Sequence, residues 1–527
     1  MGGASESEVP DRAAGLHRGA APDLPQRHFP PSSLPRRALG DALPGRVLRH
    51  PVHRRFRRFG ILPGLGSAGL ACEEAVRETG RRGAAWVRIL AGAAAAVAVW
   101  GIFRGIGEAN RFHLRPPGRD LPEQEEGAVA HGATPGELHR LLASGKSEGT
   151  TETGTKIVLT LDERLQRDIF ELFRKYDPPY GAFAALEPET GRVLALVGYR
   201  KGGESDPWLP LKALYPAASL IKVVTAAAAL ERGTITPGEE IVYRGGIYRI
   251  TRRNIHAKRG RGASAMSLEE AIAKSANSVF GKVAVNHVGG EALEEYMEKF
   301  GFGQRIPFGL PVEVSRGEVP RDEYNLARTG AGFGEVYVSP LHMAMVMAAI
   351  GSSGEMPQPF LVERIEEPGG EALYEASPSK WRDTVTPETA EALLRMMVKT
   401  IEIGTSHRAF GSPSSTPLLQ DMEVAGKTGS VSGWSPRMRF EWFAGVAPVE
   451  GPMLAVAALV VNSSRWKIKG SYVGKEAFSS YFGYPHSNPP SYKKARGKKK
   501  AGGRKGSRSK APGKPTKPAA PTGKRPR

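Results

Sequence analysis

Apolar and polar positions follow two different periods in the middle of this chain and neither at its ends. Residues 156–160 (Lys-Ile-Val-Leu-Thr) form a short apolar run that predicts a strand. Asp162 follows as a helix cap, and Leu165, Ile169, Leu172 and Phe173 then recur at helical spacing on one face. Two apolar runs, 181–186 and 192–197, are joined by Glu187-Pro-Glu-Thr-Gly191, whose turn chemistry predicts a hairpin. From Ser219 to Arg232 nearly every position is apolar, which predicts a buried helix ended by Gly233. Ser267 opens another helix, with Glu269 and Glu270 in the first turn where the helix dipole favours negative charge. Further helices are predicted near 291–300, 340–350 and 387–401. Strands follow at 424–430 and 440–447, flanking a turn, and at 453–461.

Strands at both ends of one region with a helical block between them predict an α+β fold. Its sheet is mainly antiparallel and flanked by helices, rather than built from repeated βαβ units. The dense region spans 156–484. Ahead of it, 107–155 reads as a polar linker with one short helix at 135–142. The uninterrupted apolar run 89–103 is short for a membrane span, but Arg88 can snorkel and extend it back to Ala84. Trp86 and Trp100 suit the two interfaces. The preferred reading is one transmembrane anchor at 84–106, preceded by a disordered, basic, cytoplasmic segment at 1–83. The alternatives are a buried Ala-rich helix or an uncleaved signal segment. Residues 485–527 read as a disordered Lys/Arg-rich tail.

Charge changes this picture only at the ends. The formal net charge of the 527 residues is +20. Fifteen Lys/Arg and no acid lie between Ser491 and Arg527, and 14 Arg face 8 acids in residues 1–83. The middle is nearly neutral, so the basicity describes the tails and not the substrate of the core. The single cysteine, Cys72, excludes an internal disulfide and a multi-cysteine zinc site. Gly69-Leu-Ala-Cys72 faintly matches a lipoprotein cleavage site, but no long apolar run precedes it, and a plain unpaired thiol is the preferred reading.

Three short patterns carry the candidate chemistry: Ser219-Leu-Ile-Lys222, Ser275-Ala-Asn277 and Lys427-Thr-Gly429. Ser-x-x-Lys also occurs at Ser377, Ser464, Ser491 and Ser507, so context selects Ser219, at the start of an apolar helix. A serine hydroxyl attacks well only when a base takes its proton. Residues i and i+3 of a helix share a face, so Lys222 lies beside Ser219. A lysine acts as base only if its pKa falls, through burial or a second cation, and Lys427 is the candidate for the latter. Ser275 offers a hydroxyl to relay a proton to a leaving amine, and Asn277 an amide to hold a peptide. Lys427 and Thr428 suit a carboxylate, and Gly429 lets a peptide lie flat along the strand as an added edge strand.

Taken in this order, the patterns resemble those of the penicillin-binding proteins and serine β-lactamases. The likeness extends to Leu159-Thr-Leu-Asp162 followed by Leu165-Gln166, to 186–195, to Val338-Ser-Pro-Leu-His-Met-Ala344 and to Trp442-Phe-Ala-Gly-Val-Ala-Pro448. It covers roughly 156–484. The resemblance implies a serine D,D-transpeptidase that cross-links peptidoglycan stem peptides ending in D-Ala-D-Ala and is acylated by β-lactams. Ser219 would be the acylated nucleophile, Lys222 its general base, and Ser275 and Asn277 the second motif. Lys427, Thr428 and Gly429 would form the third, with the backbone N–H groups of Ser219 and Ser430 as the oxyanion hole. No cofactor and no metal are expected.

Alternatives within the resemblance are a D,D-carboxypeptidase or endopeptidase; outside catalysis they are a β-lactam sensor or a wall-synthesis scaffold. The stretch after Asn277 lacks Glu-x-x-Leu-Asn, which argues against a class A β-lactamase. No glycosyltransferase-like segment is visible, so a separate glycan polymerase is expected as partner. The anchor places the domain outside the bacterial cytoplasmic membrane, in the periplasm. The basic tail then meets anionic wall polymer or lipid, if anything, rather than nucleic acid. Gly145-Lys-Ser-Glu-Gly149 matches a nucleophile-elbow pattern by letter, but it lies in a polar linker. His256, His342 and His407 are scattered and read as surface or packing residues.

Overall fold

A computed structural model describes residues 132–432, 438–463 and 466–490. Every described residue belongs to one compact unit. The anchor expected at 84–106, the segment ahead of it and the tail from Ser491 lie outside the described residues. Among those described, no helix is long and apolar enough to cross a membrane.

Six strands form the central sheet: β1 (Tyr180–Leu186), β2 (Val193–Arg200), β3 (Glu204–Ser205), β4 (Ala425–Ser432), β5 (Arg439–Ala447) and β6 (Leu454–Asn462). Their order is β4-β5-β6-β1-β2-β3, and every neighbouring pair is antiparallel. The fold is therefore α+β with antiparallel sheets flanked by helices, as the element order predicted. The helices that cover this sheet or carry the site are α1 (Glu163–Tyr176), α2 (Lys222–Glu231), α3 (Leu268–Lys274), α4 (Asn277–Val283), α5 (Pro340–Gly351), α6 (Pro387–Glu402) and α7 (Gly470–Phe482).

Strand residues alternate between two cores. Phe183 and Ala185 of β1 pack with Val456, Ala458 and Val460 of β6 against α1 and α7. Ala182, Ala184 and Leu186 pack with Ala455, Ala457 and Leu459 on the other face, against α5. Both faces are covered, so β6 is apolar at nearly every position instead of every second one. Helix α5 has 11 of its 12 residues buried, which is why its sequence shows no polar stripe. Each large apolar side chain taken from water here contributes about 1.5–3 kcal/mol.

Local signals set the helix starts. The Asp162 carboxylate accepts the Leu165 N–H at 2.8 Å and caps α1. Ser267 accepts from Glu270 N at the head of α3. The short helix expected at 135–142 runs Pro135–Ser144, and its Leu138 and Leu142 are buried in the core of the domain. Strand Glu148–Thr150 pairs with Lys156–Leu159, which in turn pairs with Val362–Glu366. The packed body thus begins upstream of Lys156.

It also continues beyond Tyr484. Ser487 donates from N and Oγ to the Glu476 carboxylate of α7, and its carbonyl accepts the Tyr472 hydroxyl at 2.5 Å. Lys475 Nζ donates to Ser487 Oγ at 3.0 Å, and His486 Nδ1 lies 2.8 Å from Glu476. Glu476 is 1% exposed. Ending the chain after Tyr484 strips partners from a buried carboxylate and is expected to destabilise the domain by about 2–4 kcal/mol. Ending it after Pro490 should leave the melting temperature unchanged. Thermal melts of the two truncations check this, and equal melting temperatures would refute it.

Candidate active site

Polyalanine-like packing drives α2 into the core, with Lys222 through Ala229 all buried. The expected helix from Ser219 is in fact two pieces. A single 3-10 turn, Ala218–Ile221, precedes α2, and Lys222 is the first α-helical residue. In 3-10 geometry residues i and i+3 eclipse, which brings Lys222 directly beside Ser219. Lys222 Nζ lies 2.6 Å from Ser219 Oγ.

The turn is held under strain. Ala218 has φ +48°, a left-handed conformation that a residue with a Cβ rarely adopts. Gly332, at φ +92°, lies against it: a Cβ there would stand 2.3 Å from the Ala218 carbonyl oxygen and 2.8 Å from Ser219 N. Gly332→Ala is therefore expected to displace the Ser219 turn and lower acylation by roughly 10²-fold, since misplacement by about 1 Å has that effect. Comparing acylation rate with melting temperature checks this; a rate within twofold of wild type would rule out the contact as a support.

Three acceptors surround the Lys222 amine: Ser219 Oγ, Asn277 Oδ1 at 2.9 Å and the Ala331 carbonyl at 2.6 Å. The Asn277 amide is oriented by its other end, where Nδ2 donates to the Tyr248 carbonyl at 3.0 Å. The Phe280 ring lies 5.8 Å from Nζ. Burial first, and the Lys427 cation second, hold the Lys222 pKa well below the ordinary lysine value.

Ser275 ends α3 in a left-handed conformation (φ +53°), and α4 starts at Asn277. This break between two helices sets Ser275 against Lys427 and Asn277 against Lys222. Lys427 Nζ, fully buried on β4, donates to Ser275 Oγ at 2.9 Å and to the Thr428 carbonyl at 2.7 Å. Burial lowers its pKa to about 7. Lys427 thus stands in reach of neutrality near physiological pH, and the Lys222 value is shifted in the same direction.

Strand β4 is the edge of the six-stranded sheet and, among the described residues, pairs only with β5. Gly429 packs closely on the Ser219 turn: a Cβ there would lie 3.2 Å from the Ala217 carbonyl. The Thr428 hydroxyl is 2.5 Å from Thr405 Oγ1, and the Ser430 hydroxyl donates to Glu441 Oε1 at 3.0 Å. Trp442 Nε1 donates to the Pro216 carbonyl and ties β5 to the segment before the nucleophile.

The structure brings the predicted residues together as two hydrogen-bonded groups, Ser219–Lys222–Asn277 and Ser275–Lys427, close enough that the Lys427 charge acts on Lys222, with Thr428, Gly429 and Ser430 following on the same strand as Lys427. Sequence reasoning missed Ala331, Gly332, Thr405 and Glu441, which reach the site only through the tertiary fold. His342 is a packing residue: Nε2 lies 2.6 Å from the Phe300 carbonyl, and burial lowers its pKa to about 4.

The family model for the penicillin binding protein transpeptidase domain matches residues 181–482. Peptidoglycan D,D-transpeptidase PbpA of Mycolicibacterium smegmatis is 26% identical over 376 residues, which is 64% of this chain and 73% of that protein. Penicillin-binding protein 3 of Bacillus subtilis is 25% identical over 54% of this chain and 44% of its own length. The crystal structure of PBPA from Mycobacterium tuberculosis superposes with a TM-score of 0.52 at 24% identity, covering 62% of this chain and 83% of that one. Penicillin-binding protein A of the same organism, solved as a ceftriaxone acyl-enzyme complex, superposes with a TM-score of 0.53 at 23% identity, covering 70% and 89%.

Proposed function

The chain belongs to the penicillin-binding protein transpeptidase family, and from that premise we propose that it is a serine D,D-transpeptidase that cross-links peptidoglycan stem peptides through an acyl-enzyme on Ser219. The observation that carries this reading is the Lys222 amine, which is buried, has a depressed pKa and lies 2.6 Å from the Ser219 hydroxyl. Neutral Lys222 takes the Ser219 proton as Oγ attacks the carbonyl of the penultimate D-Ala. The developing oxyanion faces the backbone N–H groups of Ser219 and Ser430. As the C–N bond breaks, the leaving D-Ala amine receives a proton by way of the Ser275 hydroxyl. The amine of a second stem peptide then displaces Ser219 from the acyl-enzyme. Lys427 and Thr428 hold the terminal carboxylate, and the peptide adds to the open edge of β4.

A β-lactam enters the same path, except that its leaving amine stays tethered. The segment 84–106, built on the apolar run 89–103, serves as a single membrane anchor, with the catalytic domain on the periplasmic side of the cytoplasmic membrane. A separate polymerase supplies the glycan.

Incubation of the purified protein with a fluorescent penicillin, followed by peptide mass mapping, tests the assignment. The adduct is expected on the peptide that contains Ser219. A folded protein with no adduct, or with one on another serine, would refute it.

A further inference from the structure

One buried carboxyl beside the substrate strand has no place in the acyl-transfer scheme. Glu441 on β5 is paired directly with Ser430 on β4 and is 3% exposed, while Ser430 itself is exposed. Its Oε1 accepts the Ser430 hydroxyl at 3.0 Å, and its Oε2 lies 3.7 Å from Lys469 Nζ. Lys469 stands 4.2 Å and the Arg439 guanidinium 4.9 Å from the Trp466 ring. Val460, opposite Glu441 on β6, is apolar.

A serine hydroxyl has one proton to donate. While Glu441 is ionised, that proton is committed to Oε1, and Ser430 offers an incoming carboxylate only lone pairs beside a negative charge. When Glu441 carries a proton, it donates to Ser430 Oγ instead. The Ser430 proton is then free to be donated into the cleft.

We propose that Glu441 is a positioning residue that sets the direction of the Ser430 hydroxyl and thereby makes recognition of the substrate carboxylate depend on the Glu441 proton. The proposal rests on the reading of β4 as the carboxylate-binding strand. Burial raises the Glu441 pKa above the ordinary glutamate value, while Lys469, the Ser430 hydroxyl and Arg439 oppose the rise. Carboxylate recognition therefore weakens as pH rises through that raised value. The requirement for neutral Lys222 runs the other way, and the acylation optimum lies between the two limbs.

The test compares acylation rate constants for benzylpenicillin and for its methyl ester between pH 5 and 9, in the wild type and in the Glu441→Gln and Lys469→Met variants. The ratio of acid to ester cancels the titration of Lys222, which both compounds need equally. Titration of Lys427 is common to wild type and variant. Glutamine keeps an N–H aimed at Ser430 at every pH. Glu441→Gln should therefore acylate with benzylpenicillin roughly tenfold faster than wild type at pH 8, given a unit charge removed within a few ångströms of the bound carboxylate. The gap should narrow as pH falls through the raised Glu441 value and be absent for the ester.

Lys469→Met leaves Glu441 in place and removes a cation that favours its ionised form, so the limb in the acid-to-ester ratio should move to higher pH. This second variant keeps the proposal testable if the first does not fold. A gap that is independent of pH, an equal gap for the ester, or an unmoved limb in Lys469→Met would each overturn the proposal. Failure of the wild type to react with either compound would instead overturn the transpeptidase reading.

Discussion

Lys222→Met is expected to lower the rate constant for acylation by benzylpenicillin about 10³-fold while the protein stays folded. The argument is one of hydrogen-bond capacity. A neutral lysine amine has two N–H donors and one lone pair. Asn277 Oδ1 and the Ala331 carbonyl can only accept, so they take both donors. The lone pair is left for the Ser219 hydroxyl, at 2.6 Å. General-base catalysis of this kind contributes about 10²–10⁴-fold. Lys222→Arg should fail as badly, because a guanidinium keeps its proton in proteins.

Ser219→Ala should abolish the adduct. The double variant should be no worse than Ser219→Ala, since groups that act as a unit are not additive. Wild-type acylation should rise with pH as Lys222 loses its proton, and the rise should end well below pH 10.5, the ordinary lysine value. That limb should vanish in Lys222→Met. Stopped-flow acylation across pH, beside circular dichroism, measures both. Near-wild-type acylation by the Met variant would remove Lys222 from the role of base.

The parts of this site that were legible in the sequence are those fixed by local chemistry. Asp162 announces α1, the turn at 187–191 announces the hairpin, and the apolar run after Ser219 announces a buried helix with a lysine trapped in it. The break at Ser275 was not visible, because no proline or glycine stands between Leu268 and Phe280 to mark a helix end. It is a left-handed serine, not a glycine or proline, that stops α3. Nor was the 3-10 turn at Ala218 legible, since alanine is a poor marker for positive φ. Ala331 lies 109 residues from Lys222 in the chain and contributes a backbone carbonyl, which has no sequence signature at all.

The domain ends were blurred for a related reason. Helix Pro135–Ser144 buries only Leu138 and Leu142, so its composition is that of a linker. Ser487 is held by hydrogen bonds to Glu476 and not by apolar contact. Glu441 follows the same logic. Beside Phe440 and Trp442 it reads as the outward position of an alternating strand, yet the fold buries it under Lys469 and against Ser430.

Lys427→Met is expected to give a protein that is more stable than the wild type at neutral pH and acylates at least about 10²-fold more slowly. Burial has lowered the Lys427 pKa from 10.5 to about 7. Between those values the unfolded chain binds the proton and the folded chain does not, so wild-type stability rises with pH across that window. Below about pH 7 the folded protein carries a buried ammonium and bears the full cost. Methionine does not titrate there. The stability gap in favour of the variant should therefore be widest at and below pH 7 and shrink steadily toward pH 10.5. A tenfold loss of proton affinity on folding corresponds to about 1.4 kcal/mol. The variant also leaves the Ser275 hydroxyl and the Thr428 carbonyl without their donor, at about 1 kcal/mol each. The net gap near pH 7 should be on the order of 2–3 kcal/mol, read from denaturant melts at a series of pH values. A gap that does not change with pH would mean that Lys427 is not the titrating group. The loss of rate follows from the same contacts, because Lys427 positions Ser275 and supplies the cation for the substrate carboxylate. Removing it also relieves Lys222 of a neighbouring charge. The residual acylation of the variant should then need a higher pH than the wild type, because a base no longer pressed by a second cation holds its proton longer.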